Sequence, residues 1–109
     1  MARVVRTKLA RQNIKEIGRY IARESSSRAV ALRFLDSISE KCRLYATQPL
    51  MGEARPDLGN NVRCLPIGNY IALYRPLNDG IELLLVVHGA RDIPALYRRL
   101  IGQPGQAAD

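Results

Sequence analysis

Residues 62–88 read "VRCLPIGNYIALYRPLNDGIELLLVVH", and the way this stretch divides decides the fold. Its first part, "VRCLPI" (62–67), runs into Gly68-Asn69, a pair suited to a tight hairpin turn. Residues 70–75, "YIALYR", alternate, with Ile71 and Leu73 on one side and Tyr70, Ala72 and Tyr74 on the other. "PLNDG" (76–80) is a second turn signal. Residues 81–88, "IELLLVVH", are apolar at successive positions, as in a central strand covered on both faces. Together these segments predict an antiparallel three-stranded meander.

Upstream, "RVVRTK" (3–8) is short and β-branched and reads as a further strand. From Ala10 the period changes to helical, with Ala10, Ile14, Ile17 and Ile21 on one side and Arg11, Lys15, Arg19 and Arg23 on the other. This helix is expected to stop near Glu24, where "SSS" (25–27) offers both a break and a cap for the next. Ala31, Phe34, Leu35, Ile38, Cys42 and Tyr45 make the stripe of a second helix, ending before Pro49. A linker this short makes the two an antiparallel αα-hairpin. Residues 48–61, "QPLMGEARPDLGNN", are turn-rich, show no period and form the longest loop. After Gly89, Pro94 and "ALYRRLI" predict a short last helix. The expected fold is α+β, an antiparallel sheet of about four strands under a helical hairpin in the order β-α-α-β-β-β. It occupies a single domain, 1–102, with 103–109 as a flexible tail.

The 109 residues carry 17 Lys plus Arg against 10 Asp plus Glu, a net charge of +7. Only Lys8, Lys15 and Lys41 are lysines, so Arg dominates, and Arg suits bidentate contact to carboxylate or phosphate. Such a balance favours an acidic partner. The 47% hydrophobic content is that of a globular chain. Cys42 and Cys64 have no metal-ligand spacing and lie in apolar patterns, which predicts two packed, reduced thiols. No apolar run is long enough to span a membrane, and the N-terminus lacks a secretory h-region. The expected location is therefore the cytoplasm, with no cofactor and no metal.

Chemistry-bearing residues crowd the end of the last strand, where "HGARDIPALYRR" (88–99) places His88, Arg91, Asp92 and Tyr97 close together. A lone His at a strand end usually hydrogen-bonds locally. Gly89 is expected to permit a positive-φ turn, and Asp92 to pair with Arg91 or cap the next helix. Arg91, Arg98 and Arg99, with Arg63 and Arg75, can form a positive patch at one end of the sheet. The basic stripe of the first helix is a second candidate, for DNA or simply for solvent. No nucleophile has a base at recognisable spacing, and no Gly-rich phosphate loop is present.

The element order resembles the ParE/RelE superfamily of bacterial toxins from toxin–antitoxin pairs. Four strings carry the resemblance in the same order: "YIARESSSRAVALRFLDSI" (20–38), "PLMGEARPDLG" (49–59), "VRCLPIGNYIALYR" (62–75) and "LLVVHGARDIPALY" (84–97). The P-x-x-G-x-x-R-x-D-L loop and the V-V-H-G-A-R-D-I ending are similar to the ParE branch. That branch implies a toxin that binds DNA gyrase and traps its cleavage complex with DNA, held inactive in a hetero-oligomer by a ParD-like antitoxin. The RelE branch implies ribosome-dependent mRNA cleavage.

On the ParE reading Arg75, Arg91, Tyr97, Arg98 and Arg99 contact the target. Tyr20, Ile21, Leu32 and Leu35 then receive the antitoxin in a groove between hairpin and sheet, while His88, Gly89 and Asp92 are structural. On the RelE reading Arg63, Arg91 and Tyr97 are catalytic. Against that, the 48–61 loop has no Lys and only Arg55 as a cation, and Arg is a poor proton-transfer group. A third reading is a toxin-fold protein kept only as an inert antitoxin partner.

Overall fold

The computed structural model describes residues 2–102; the tail at 103–109, expected to be flexible, lies outside them. Five strands and three helices follow in the order β1 (Arg3–Arg6), α1 (Lys8–Ser25), α2 (Arg28–Thr47), β2 (Glu53–Ala54), β3 (Arg63–Ile67), β4 (Tyr70–Leu77), β5 (Gly80–His88) and α3 (Ile93–Leu100).

The strands form one mixed sheet in the order β1-β5-β4-β3-β2. This corrects the expected four antiparallel strands in two respects. The 48–61 loop contributes the two-residue strand β2, paired to Cys64 and Arg63, a bridge too short to leave a period. In addition, β1 runs parallel to β5. Arg3 anchors one end of that pairing: its N–H donates to the Asp79 carbonyl (2.7 Å) and its guanidinium forks onto the Asp79 carboxylate (3.0 and 3.2 Å). At the other end the Thr7 N–H donates to Leu83 O (3.1 Å). Tertiary partners decide the direction of a four-residue strand, and its own sequence does not.

Local chemistry explains the helix ends. Thr7 caps α1 by accepting from the Ala10 N–H (3.1 Å). Ser26 ends that helix in the left-handed region (φ 53), and the Ser27 hydroxyl accepts from Val30 N–H (3.2 Å) to start α2. The triple serine is therefore a stop and a start in two residues.

Gly68 has φ 57, as the first central position of a two-residue hairpin requires. The β4–β5 turn is tighter than "PLNDG" suggests, since Pro76 and Leu77 still pair with Ile81 and Gly80. Beyond Tyr74, β4 no longer has β3 beside it, so the missing N–H of Pro76 breaks no ladder on that side.

Both faces of the sheet are covered. The hairpin packs Ile17, Ile38, Cys42 and Ala46 onto Leu65, Tyr74, Leu83 and Val86. On the opposite face Ile93 and Tyr97 of α3, with Leu58 and Val62 from the loop, cover Cys64, Leu73 and Leu85. Strand β5 serves both faces. Leu73 pairs with Leu85 but Tyr74 pairs with Leu83, so Leu84 is the extra residue of a bulge. Leu83 and Val86 then face the hairpin while Leu84 and Leu85 face α3.

A buried hook ties the end of α2 to the sheet. The Tyr74 hydroxyl, on a fully buried ring, donates to Pro49 O (2.7 Å) and accepts from Gly52 N–H (2.9 Å). Arg63, level with Tyr74 on β3, donates to Leu50 O (3.1 Å) and Gly52 O (2.7 Å). Burial pushes the Tyr74 phenol up, and the Gly52 hydrogen bond and Arg63 partly offset it.

Two substitutions test these joints. Tyr74→Phe leaves the Gly52 N–H without its partner and is expected to cost about 1–3 kcal/mol. In a domain of this size each kcal/mol lowers Tm by roughly 4–8 °C, which calorimetry reads. A Cβ at Gly80 would overlap the Arg3 carbonyl, so Gly80→Ala is expected to expose the Val4–Arg6 amides to fast hydrogen exchange while β4 stays protected.

Candidate functional site

The residues singled out at the end of β5 do not form one cluster. They divide between the two sides of α3. His88 lies opposite Tyr70 in the β4–β5 ladder, and the two rings meet edge-on at 5.3 Å. The His88 Nδ1 accepts from Ala90 N–H (3.1 Å), and Arg91 N–H donates to His88 O (3.1 Å). Asp92 caps α3 by accepting from Ala95 N–H (3.2 Å) and forms no ion pair with Arg91 among the described residues.

A turn does follow His88, but Gly89 is not among the positive-φ glycines, which corrects the conformation expected there. The constraint is proximity, since a Cβ would press on Asn69 O at 3.2 Å and on the Ile71 side chain at 3.4 Å.

Tyr97 points away from this cluster. It is 5% exposed and packs with Leu58, Val62 and Leu73 beneath α3. Burial pushes its phenol up, with Arg75 pulling slightly the other way. The expected contact surface of Tyr97, Arg98 and Arg99 is therefore corrected: the arginines are exposed and the tyrosine is core. Arg75 is itself paired to Glu82 across the ladder (2.7 Å).

The other side of α3 faces α1 across an open groove of about 460 Å³. Asn13, Glu16 and Tyr20 come from α1, Tyr70 and His88 from the strand ends, and Arg91, Leu96, Arg99 and Leu100 from α3 and the turn before it. Its walls combine apolar area with charge, because Tyr20 is 50% and Leu100 44% exposed while Arg91 and Arg99 are cationic. Asn13 also covers the open edge of β5, its Oδ1 accepting from Val86 N–H (3.1 Å).

Of the four residues expected to hold a partner segment, only Tyr20 lines this groove. Ile21 and Leu35 are partly buried against the hairpin core. Leu32 is 53% exposed on α2.

Asn13, Tyr70, Leu96 and Leu100 were not singled out from the sequence. Asn13, Glu16, Ile17 and Tyr20 do share one helical face, a legible signal. What that face meets depends on where α3 lies, which the periodicity does not encode. Cys42 and Cys64 are both free and buried, and burial pushes both thiols up. Among the described residues no group of three or more His, Cys, Asp or Glu could hold a metal ion. No described helix is long and apolar enough to cross a membrane.

Residues 4–93 match the family model described as the ParE toxin of the type II toxin–antitoxin system, parDE. The fold is similar to a solved structure from P. aeruginosa described as a chromosomal ParDE toxin–antitoxin system. That likeness has a TM-score of 0.67 and 20% identity, over 81% of this chain and 96% of that one. No curated protein matches the sequence. With the family model spanning the hairpin and all of the sheet but Arg3, the chain belongs to the ParE toxins of type II toxin–antitoxin systems.

Proposed function

We propose that this ParE toxin acts by adhesion, binding DNA gyrase on its DNA, and that a ParD-type antitoxin neutralises it in the cytoplasm. The observation that carries this reading is the dispersal of the RNA-cleaving set. Arg63 is engaged with the Leu50 and Gly52 carbonyls at the Tyr74 level of the sheet. Arg91 lies beyond His88, at the Tyr70 level, about 13 Å further along β4 at 3.3 Å per residue. Tyr97 is buried on the opposite face. A phosphoryl-transfer site needs its groups within hydrogen-bond reach of one reacting phosphate. These three do not meet around one.

Adhesion draws on Arg91, Arg98 and Arg99, exposed around α3, as the target-facing cations. The groove between α1 and α3 suits the antitoxin. A segment that folds on binding must bury apolar area to offset its ordering entropy, which Tyr20 and Leu100 provide. Arg91 and Arg99 favour an acidic sequence and fast association.

Expression in a sensitive cell, followed by assays of DNA double-strand breaks and of transcript integrity, tests the target. Breaks with intact transcripts are expected. Cut transcripts with intact DNA would overturn the reading, and absence of growth arrest would point to an inert partner. For the groove, Tyr20→Ala with Leu100→Ala is expected to weaken antitoxin binding at least tenfold, the loss typical of an interface anchor, with Tm nearly unchanged. Calorimetric titration measures it, and a loss confined to Leu32→Ala would move the site to α2.

A further inference from the structure

The outward face of α1 is not used by the core or by the groove. We infer that it binds the phosphate backbone of duplex DNA without sequence preference, whether or not gyrase is the target. Lys8, Arg11, Lys15, Arg19 and Arg23 are all exposed. At 100° per residue they fall within about a third of the helix circumference, opposite buried Ala10 and Ile17. None of the five takes part in an ion pair among the described residues. Among the described residues their one side-chain hydrogen bond runs from Arg11 Nη1 to Arg6 O (2.7 Å). Of the acids on α1, Glu16 is turned into the groove facing α3 and Glu24 stands in the last turn. The cations therefore form an unbroken row about 22 Å long, the axial length of about six phosphates of one DNA strand.

Helix stability does not account for this row. Arg11–Lys15, Lys15–Arg19 and Arg19–Arg23 are like-charge pairs at i,i+4, which oppose the helix. The first turn holds Lys8 and Arg11 and no acid, against the helix dipole. Solubility needs charge, but mixed signs would supply it at less cost.

The face also has no large apolar side chain, so a peptide that must bury apolar area to fold has nothing to hold there. A polyphosphate needs no such area, because its affinity comes from counterion release.

The test is fluorescence anisotropy of the purified chain with a labelled mixed-sequence duplex DNA, titrated over a range of salt. Log K is expected to fall linearly with log salt. The triple variant Lys15→Gln/Arg19→Gln/Arg23→Gln is expected to flatten the slope by about 2.7, three contacts at 0.9 each. It should weaken all sequences alike and leave Tm unchanged or higher. The triple variant Arg33→Gln/Lys41→Gln/Arg43→Gln on α2 removes the same net charge and is expected to keep the slope. Equal flattening in both variants, binding only to duplex RNA or anionic vesicles, or no DNA binding by the folded wild-type chain would each overturn the inference.

Discussion

Strand β5 is apolar toward both faces of the sheet, and water must be kept from both. A strand of this kind cannot lie under one layer. Its first half sits between β1 and β4 and Asn13 covers the free side beyond Leu83, with the hairpin over Leu83 and Val86 and with α3 and the 58–62 loop over Leu84 and Leu85. Burying each such side chain contributes about 1.5–3 kcal/mol, so α3 is part of the core and not an appended helix. The Leu84 bulge breaks the alternation, so that the adjacent Leu84 and Leu85 share one face while Leu83 and Val86 share the other. The same requirement withdraws Tyr97 from the surface, because its ring is what α3 presents to the sheet.

Arg63 is withdrawn for a different reason. The chain leaves α2 through Pro49–Gly52 and must return to the sheet, and its backbone polar groups need partners on the way. Tyr74 and Arg63 supply them from adjacent positions of the ladder. Two of the three residues that a nuclease reading would recruit are thus committed to holding the fold. That is the physical content behind reading this member of the ParE family as a binder.

Much of the fold was legible in the sequence because it follows from short-range rules. The serine junction, the Gly68-Asn69 hairpin and the doubly apolar run each carry their own chemistry. The direction of β1 and the two-residue strand β2 were not legible, since both depend on partners distant in the chain. The site was less legible than the fold for the same reason. Tyr97 and Arg98-Arg99 are neighbours in sequence, yet a helix separates adjacent residues by about 100°. One therefore turned inward and the others outward. Gly89 misled in a related way: a glycine at a strand end suggests a positive φ, whereas here the turn forms without one and the missing side chain allows Asn69 and Ile71 to come close.

Helix α1 shows how one short element can hold several surfaces without mixing them. One side, with Ala10 and Ile17, is buried in the core. The next, with Asn13, Glu16 and Tyr20, walls the groove, and the remainder is cationic and exposed. These surfaces respond to different physics. Contact in the groove is partly apolar, and that part is nearly indifferent to salt, whereas attraction along the exposed cation row is wholly electrostatic and weakens as ionic strength shortens the screening length. A partner in the groove and a polyanion on the row could then be held together or separately, according to conditions and not to a change of shape. That separation is built into the 3.6-residue period of a single helix.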